Sequence, residues 1–445
     1  MWQKRLKISL LIVSDLLIFY IALWLTLLIR YIIIKRDPST LLNSIPLHLI
    51  PFSILFALWL IVFWAAGLYD LLKLKNEKLF YRNLIITFGV NTAIAISFFY
   101  FIPYFIITPK ISLFIDLGLT LAILYFWRQH FNRWVSEALK IKVVFLGASP
   151  EIMELKEFLG NNPQLGYQIV GVLAPDNTAE LDNLWQNRSF SIIVSAEQFD
   201  RSKKLAFSLF KYFKKGVIIS NLSKFYENVT DRVPISIIQE VWFLENIGQS
   251  QRKFYETIKR FLDIIGAVIL GVITLVLSPL IIIAIEVSYP GTIFYRQQRV
   301  GQGGKIFTLI KFRSLANNKS DREMRRPYAE EITQIGKFLR KTHIDEMPQF
   351  WNILLGQMSF IGPRPEKPDL VAKLSAEIPF YEMRHLIKPG AAGWAQLYNP
   401  NAGPTLQETL EKLQYDLFYI KNRSIFLDFS ITLKTIRILL SGNGK

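Results

Sequence analysis

Two adjacent acidic residues, Asp345 and Glu346, stand within the stretch RKTHIDEMPQFWNILLGQMSFIGPRP, residues 340–365. A basic pair precedes them, an apolar segment follows, and Arg364 lies further on between two prolines. Pro365 favours an extended backbone at Arg364. A guanidinium on such a stiff segment loses little entropy when it binds two oxygens of a phosphate. Phosphoryl transfer can use a carboxylate as the nucleophile and fixed cations to stabilise the charge on the phosphate oxygens.

The simpler interpretation is that the acids stabilise the start of a helix. Thr342 or His343 is the predicted first residue, apolar residues follow at helical spacing, and Gly356 suits the C-terminal end. Carboxylates in a first turn interact favourably with the helix dipole, which also keeps them ionised. The pattern leaves open whether these acids only cap the helix or whether Asp345 is a nucleophile or a Mg²⁺ ligand.

Two further segments supply cations. Residues 291–314 predict two strands joined by a glycine turn, and strand alternation places Lys311 and Arg313 on one face. No Gly-Lys-Ser/Thr sequence follows the glycines, which excludes a P-loop there. The stretch RHLIKPGAAGWAQ, residues 384–396, adds Arg384, His385 and Lys388 before a rigid Pro-Gly turn.

The composition indicates a membrane protein. The chain has 445 residues, a formal net charge of +17 and 14% aromatic residues, with a mean hydropathy of +0.28. Such a charge suits anionic partners. Because the basic residues cluster at predicted membrane edges, we expect lipid and nucleotide diphosphate rather than nucleic acid. There is no cysteine, which excludes disulfides and thiolate chemistry and disfavours a structural zinc site.

Four apolar runs, at about 8–34, 44–68, 84–108 and 111–127, predict transmembrane helices in residues 1–140. Lysines and arginines before the first run, between the second and third, and after the fourth place those segments in the cytoplasm. Arg30, Lys35 and Arg36 in the first outer loop argue for the opposite orientation. Buried core helices are the alternative interpretation.

Residues 141–248 predict a Rossmann-like parallel α/β module, because short apolar strands alternate with helical segments. The turn after the first strand reads Gly147-Ala148-Ser149-Pro150 and lacks the second and third glycines of a dinucleotide fingerprint. We therefore favour a structural or regulatory module over an NAD site. An alternative function for the whole chain is a non-catalytic membrane scaffold in which this module senses a nucleotide.

A fifth apolar run covers Ile264 to Ile285 and is interrupted by Ser278 and Pro279. Proline removes a backbone donor, and a serine hydroxyl can satisfy the freed group. The run predicts either a kinked spanning helix or a re-entrant helix that keeps both ends in the cytoplasm. Lys259 and Arg260 precede it, where they could attract anionic lipid or simply snorkel.

Residues 253–440 resemble the bacterial sugar transferase domain of the monotopic phosphoglycosyl transferases. The matching motifs, in order, are KRFLD (Lys259 to Asp263), Ser278-Pro279, KFRS (Lys311 to Ser314), DEMPQ (Asp345 to Gln349), SFIGPRP (Ser359 to Pro365), KPGAAGWAQ (Lys388 to Gln396) and LDFSITLKT (Leu427 to Thr435). Together with the upstream helices and α/β module, the chain is similar to the long-form polyprenyl glycosylphosphotransferases. Ala392 stands where the family usually has threonine, and the turn 397–403 departs from its common form.

The resemblance implies a four-helix transmembrane region (1–140), the α/β module (141–248) and an α/β catalytic domain (249–445) with a re-entrant helix at 260–286. It implies that Asp345 attacks the β-phosphorus of a UDP-sugar, releases UMP, and passes the phosphosugar to undecaprenyl phosphate, with Mg²⁺ near Asp345 and Glu346 in support. The enzyme would act at the cytoplasmic face of the bacterial inner membrane, and a homodimer stays open. The expected phosphate or substrate contacts are Lys311, Arg313, Arg340, Arg364, Lys388 and Gln396, and the residues of membrane re-entry are Lys259, Arg260, Asp263, Ser278 and Pro279.

Overall fold

The computed structural model describes residues 2–74, 77–101, 110–137, 140–175, 177–196, 203–248, 253–288, 290–315, 333–399, 403 and 405–440. The chain forms two compact units, Met1–Val229 and Thr230–Lys445. The last residues of the third predicted apolar run, 102–108, and residues 400–402 of the turn 397–403 lie outside the described part. The predicted division at residues 140 and 248 stays a prediction.

Four long helices begin the first unit, and each contains a segment long and apolar enough to cross a membrane. They are α1 (Trp2–Leu28), which continues into a π-helical segment (Ile29–Ile34), α2 (Ser39–Ala65), α3 (Lys78–Phe101) and α4 (Lys110–Glu137). The fold is therefore that of a membrane protein, as the apolar runs predicted. That all four helices span the bilayer stays a prediction.

A buried ion pair joins the first and fourth helices. Arg128 Nη2 lies 2.5 Å from Asp15 Oδ2, and neither side chain is exposed. Tyr69 donates its hydroxyl hydrogen to the same carboxylate oxygen, and Arg128 Nη1 donates to the carbonyl of Leu68. Charges inside a helical bundle are costly unless they are paired. This network therefore fixes α1 and α4 against the loop that follows α2.

The rest of the first unit is a parallel sheet with helices on its faces. The strands β1 (Ile141–Leu146), β2 (Tyr167–Leu173), β3 (Ile192–Ser195) and β4 (Ile218–Asn221) are ordered β2-β1-β3-β4. The helices are α5 (Pro150–Asn161), α6 (Thr178–Arg188), α7 (Lys203–Phe213) and α8 (Leu222–Thr230). All three strand pairings are parallel, which confirms the predicted α/β layer.

The second unit combines helices with two small sheets. Its helices are α9 (Glu240–Asn246), α10 (Lys253–Ser288), α11 (Gln334–Thr342), α12 (Phe350–Leu354), α13 (Pro368–Glu377), α14 (Trp394–Tyr398), α15 (Leu406–Asn422) and α16 (Ile425–Leu440). The predicted hairpin is present, since β5 (Phe294–Val300) pairs antiparallel with β6 (Ile306–Phe312) across a short 3-10 segment, Gln302–Gly304. β7 (Ser359–Ile361) pairs parallel with β8 (Gly390–Ala392).

The fifth apolar run lies within one continuous α-helix, α10, that includes Pro279. The re-entrant interpretation predicts two helices separated by a break at this point. The helix persists because the hydroxyl of Ser278 donates to the carbonyl of Leu275 at 2.9 Å. Leu275 is four residues before Pro279, so its carbonyl is the one that proline leaves without a backbone donor. Ser278 thus satisfies the carbonyl that Pro279 frees, as the sequence indicated, while its part in membrane re-entry stays a prediction.

The β7–β8 pairing brings the SFIGPRP and KPGAAGW motifs into direct contact. Gly390 donates its backbone N–H to Pro363, and Gly362 donates to Ala392. The two chains approach so closely that a Cβ on Gly390 would lie 2.0 Å from the nitrogen of Gly362. Glycine is therefore required at this crossing, which sets the direction in which the Gly-Pro-Arg-Pro segment leaves the sheet.

Candidate active site

The two acids lie on a short 3-10 helix. His343, in the left-handed region at φ 54°, ends α11, and the 3-10 segment Ile344–Gln349 runs on into α12. The sequence had predicted one α-helix starting at Thr342 or His343. Instead, Thr342 is the last residue of α11. Pro348 cannot donate a backbone hydrogen bond within the first turns, which favours the tighter geometry.

Glu346 is the acid that binds the two cations. Its Oε1 lies 2.5 Å from Lys311 Nζ and 2.9 Å from Arg364 Nη2. Burial would raise the pKa of Glu346, but Arg364 and Lys311 outweigh that effect and lower it to about 2. Glu346 is thus ionised throughout the physiological range. Its charge is already neutralised by the two residues that we predicted would face phosphate.

Asp345 has the opposite environment. Its side chain is buried, and within the part of the chain that the structure describes it accepts no side-chain or backbone hydrogen bond. Burial raises the pKa of Asp345, the charge of Glu346 adds to that effect, and Lys311, His343 and Arg340 oppose it. Two neighbouring carboxyl groups whose pKa values are moved apart are typical of a divided chemical role. Asp345 is the more basic and less solvated acid.

The backbone of Arg364 is held by two other arginines. Arg384 Nη2 donates to the carbonyl of Arg364 at 2.9 Å, and Arg299 Nη1 donates to the carbonyl of Pro365 at 2.9 Å. The side chain of Arg364 itself is 45% exposed, so its guanidinium remains accessible while its backbone is fixed. The stiffness predicted from the prolines therefore also has a tertiary origin.

Arg384 and His385 are not available as phosphate-binding cations. Arg384 is buried and forms an ion pair with Asp416, whose Oδ2 lies 2.8 Å from Arg384 Nη2, and it also donates to the hydroxyl of Tyr381. Burial and the charge of Arg384 lower the pKa of His385 to about 4, so this imidazole is neutral at pH 7. The sequence indicated that Arg384 is a cation near the site. It did not indicate that Arg384 is paired, because the aspartate that pairs with it is 32 residues further along the chain.

Asn352 is a site-positioning residue that the sequence analysis missed. Its Nδ2 donates to the carbonyl of Thr308 and to Gln357 Oε1, and its Oδ1 accepts from the backbone of Ile310. These bonds fix α12 to strand β6, which carries Lys311. A polar residue at an otherwise apolar helix position was the only signal in the sequence.

Within the described part of the chain, the other four predicted contact residues, Arg313, Arg340, Lys388 and Gln396, do not contact Glu346. Arg340 donates from Nε to the hydroxyl of Ser314 and is among the charges that act on Asp345. The guanidinium of Arg313 lies against Gly291, where an added Cβ would be 2.7 Å from Nη1. Lys388 and Gln396 are the two ends of the KPGAAGWAQ motif. The amine of Lys388 lies near Gly356, and Gln396, on α14, donates to the carbonyl of Ala391 on β8.

Lys259, Arg260 and Asp263 connect α10 to the rest of the second unit. Lys259 Nζ lies 2.7 Å from Asp428 Oδ2. Arg260 donates to the carbonyls of Ile353 and Leu354 at the C-terminal end of α12, where a cation is favoured. Asp263 accepts from the hydroxyl of Ser359 and the backbone of Phe360. The KRFLD motif thus joins α10 to the end of α12 and to the start of the SFIGPRP motif.

Comparison with known proteins identifies the class. The Bacterial sugar transferase family matches residues 254–442. A UDP-N-acetylgalactosamine-undecaprenyl-phosphate N-acetylgalactosaminephosphotransferase of Aeromonas hydrophila is 39% identical over 234 residues, which are 51% of this chain and 53% of that protein. The uncharacterized sugar transferase EpsL of Bacillus subtilis is 34% identical over 187 residues, covering 42% of this chain and 89% of the relative.

A longer match is found in Escherichia coli, where a UDP-glucose:undecaprenyl-phosphate glucose-1-phosphate transferase is 30% identical over 313 residues, 63% of this chain and 64% of that protein. The chain therefore belongs to the bacterial sugar transferase family. The matched region spans about half the length of the Aeromonas relative. The resemblance seen in the motifs is confirmed.

Proposed function

We propose that this protein transfers a sugar 1-phosphate from a UDP-sugar to undecaprenyl phosphate and thereby starts the repeat unit of an exopolysaccharide or O-antigen. The observation that carries the proposal is the division between the two acids. Glu346 is ionised and neutralised by Lys311 and Arg364, whereas Asp345 is buried without a hydrogen-bond donor among the described residues. The names of the relatives support the same substrates.

In the first step, a carboxylate oxygen of Asp345 attacks the β-phosphorus of the UDP-sugar. The bond between that phosphorus and the bridging oxygen breaks, and UMP leaves with the electron pair. In the second step, an oxygen of undecaprenyl phosphate attacks the same phosphorus and the aspartate carboxylate leaves. Poor solvation favours Asp345 as the nucleophile, because an acid that receives no hydrogen bonds keeps its electron density available.

Lys311 and Arg364 are proposed to bind the diphosphate. Each already faces an anionic oxygen of Glu346, and the exposed guanidinium of Arg364 can bind a second anion without leaving its fixed backbone position. Fixed cations of this kind stabilise the charge that develops on the equatorial oxygens. Glu346 keeps both cations oriented before the substrate arrives.

We further propose Mg²⁺ as the cofactor, with Asp345 as a ligand. Mg²⁺ usually binds one or two carboxylates, substrate phosphates and several waters. Asp345 fits this description, because its carboxylate is not used by other described residues. No group of three or more potential ligands is found within the described residues, which agrees with a metal that depends on substrate oxygens. When bound, the ion supplies electrostatic stabilisation of the diphosphate.

We also propose that α10 re-enters the membrane instead of crossing it, so that the site works at the cytoplasmic face of the inner membrane. The buried positions of α10 run from Asp263 to Ile285, about 33 Å along a helix axis. Its other face carries exposed apolar side chains such as Val272, Leu275 and Leu280. A helix that crossed the bilayer could not also pack on the second unit over that length.

The topology can be tested because the chain contains no cysteine. Single cysteines at Lys253 and Thr292, which flank α10, are labelled with a membrane-impermeant maleimide in inside-out vesicles. Equal labelling at both positions supports re-entry. Labelling at Lys253 with protection at Thr292 would show that the helix crosses the membrane.

The reaction is tested with purified protein, a radiolabelled UDP-sugar, Mg²⁺ and undecaprenyl phosphate. We expect lipid-extractable label and UMP from the wild type, and no product from Asp345→Asn. Asp369→Asn, at an exposed position of α13, is the matched control and should retain activity. Incubation with UDP-sugar alone should add a phosphosugar to the peptide that contains Asp345. Equal turnover by wild type and Asp345→Asn would refute the assignment.

A further inference from the structure

Helix α7 of the parallel α/β sheet presents an apolar and basic surface that the proposed reaction does not use. Phe207, Phe210 and Phe213 are 84%, 52% and 61% exposed. Lys214 and Lys215 follow directly, are exposed, and form no ion pair in the part of the chain that the structure describes, although the amine of Lys215 lies over the rings of Trp185 and Tyr212. We name these five residues the α7 patch.

The opposite face of α7 explains why the patch is not part of the core. Leu209 and Tyr212 are fully buried and pack with Val144 and Ile193 of the sheet. The helix is thus anchored through these two residues. The exposed phenylalanines therefore serve no packing role within the unit, and large exposed apolar groups clustered on one surface mark an interaction site.

The connectivity of the sheet places the C-terminal end of the patch at a defined edge. β3 and β4 are parallel neighbours, so α7 must return the chain from the carboxyl end of β3 to the amino end of β4. Its last residue, Phe213, and the lysines that follow therefore lie at the amino edge of the sheet. The exposed side chain of Ile218, the first residue of β4, lies at the same edge.

The same edge is attached to the end of the helical bundle. The short segment Pro163–Leu165 precedes β2, so it also lies at the amino edge. There, Lys7 of α1 donates to the carbonyl of Leu165 at 2.8 Å, and Gln164 donates to the carbonyl of Leu72 at 3.0 Å. The edge of the sheet that carries Phe213 and the two lysines is thus the edge that faces the bundle, and hence the membrane.

We propose that the α7 patch docks on the surface of an anionic lipid leaflet beside the bundle and fixes the α/β module against the membrane. Phe213 and the two lysines, at the end of α7 nearest the bundle, are the groups that meet the membrane surface, where aromatic rings enter the boundary between headgroups and acyl chains and lysines contact anionic headgroups. Lys214 lies over the ring of Phe210, 5.0 Å from its centroid, which lets the charge and the aromatic group meet the interface together. The inference is independent of the reaction proposed above.

The full chain is reconstituted in lipid nanodiscs with single-cysteine reporters, since the natural sequence has none. Phe213→Cys reports on the patch. Met153→Cys is the matched control, because Met153 is an exposed apolar side chain near the start of α5, at the carboxyl edge of the same sheet. Both are labelled with an environment-sensitive fluorophore, and quenching by lipids with a spin label near the headgroup is measured.

We expect quenching and a blue-shifted emission for the Phe213→Cys reporter in nanodiscs that contain phosphatidylglycerol, and neither effect for the Met153→Cys reporter. Each lysine removed by Lys214→Ala or Lys215→Ala should lower the ratio of docked to undocked module about fivefold. Equal, water-like signals from both reporters would overturn the proposal. So would a Phe213→Cys signal that is shielded to the same degree in phosphatidylcholine or detergent, since that result indicates coverage by a second copy of the chain.

Discussion

Arg384 donates a hydrogen bond from its buried guanidinium to the main-chain carbonyl of Arg364, 2.9 Å away. One arginine thus determines the position of another. Arg384 is in turn held by Asp416 and Tyr381, so the exposed guanidinium of Arg364 extends from a backbone that is fixed by the core. This relationship separates Arg364, which is proposed to contact substrate, from Arg384, which positions it.

The first prediction concerns that positioning. Arg384→Lys retains a positive charge near Asp416 but cannot donate to Tyr381, Asp416 and Arg364 together. We expect kcat/KM for the UDP-sugar to fall on the order of tenfold to a hundredfold, because one charge-assisted hydrogen bond contributes about 1.5–3 kcal/mol. UMP release under steady-state conditions measures the effect. Arg296→Lys, at an exposed position of β5, is the control, and unchanged kinetics in Arg384→Lys would contradict the role.

The second prediction is a dependence of stability on pH. The pKa of Glu346 is lowered from 4.5 to about 2 in the folded protein, so its ion pairs stabilise the fold above pH 4.5, and this stabilisation is lost as the pH falls toward 2. The full effect is about 3 kcal/mol. We expect about 1–2 kcal/mol, since Arg364 is 45% exposed.

Thermal unfolding between pH 5 and 3 tests this dependence. Glu346→Gln should lose less stability over that range than the wild type, although it is less stable at pH 7. Glu382→Gln, which changes an exposed glutamate of the same unit, should follow the wild-type curve. Parallel curves for Glu346→Gln and the wild type would show that the ion pairs do not form.

The third prediction concerns the crossing of β7 and β8. Gly390→Ala would place a Cβ 2.0 Å from a backbone nitrogen that cannot move aside easily. We expect loss of the folded second unit or a strongly lowered unfolding temperature. Gly160→Ala, in α5, has nothing within 4 Å of the new Cβ and should be neutral or slightly stabilising. Size-exclusion chromatography and thermal unfolding distinguish the two variants, and a fully stable Gly390→Ala protein would be inconsistent with the structure.

The fourth prediction is a coupling between Ser278 and Pro279. Ser278→Ala leaves the carbonyl of Leu275 without a donor, which is costly in an apolar environment. In the Pro279→Ala background, residue 279 supplies a backbone N–H, so the same serine substitution should cost little. We expect a coupling free energy of about 1 kcal/mol in a double-mutant cycle of unfolding. Additive effects would show that the hydroxyl does not replace the missing donor.

The fifth prediction concerns the metal. Chelation with EDTA should stop UMP release, and added Mg²⁺ should restore it. Because Asp345 is the proposed ligand, Mg²⁺ together with UDP should raise the unfolding temperature of the wild type but not that of Asp345→Asn. The control Asp369→Asn should respond as the wild type does. An equal shift in Asp345→Asn would place the metal elsewhere.

Much of the architecture could be predicted from local patterns. Apolar runs gave the four N-terminal helices, because a water-soluble domain rarely sustains hydrophobicity over the length of a bilayer. The strands of the α/β layer followed from short apolar segments between helical ones. Even the hydrogen bond of Ser278 was predictable, since its partner carbonyl lies three residues away on the same helix.

The predictions that failed concern the type of helix and the partners of charged residues. The helix at the acid pair was predicted to be an α-helix from Thr342 or His343 onward, but His343 adopts a left-handed backbone and the acids lie on a 3-10 segment. Arg384 was named only as a further cation of the stretch 384–396, and the sequence did not indicate its partner. Arg384 is buried against an aspartate on α15.

The sequence by itself determined that the chain is a membrane protein with a parallel α/β sheet, and it predicted that Asp345, Glu346 and Arg364 belong to one chemical site. Only the tertiary structure decided that Glu346 is the acid neutralised by cations and that Asp345 accepts no hydrogen bond from the described residues. The reason is that a charged side chain is paired by whichever opposite charge the fold brings within a few ångströms. Lys311 and Glu346 are 35 positions apart, and Arg384 and Asp416 are 32 apart, so no local pattern encodes either contact.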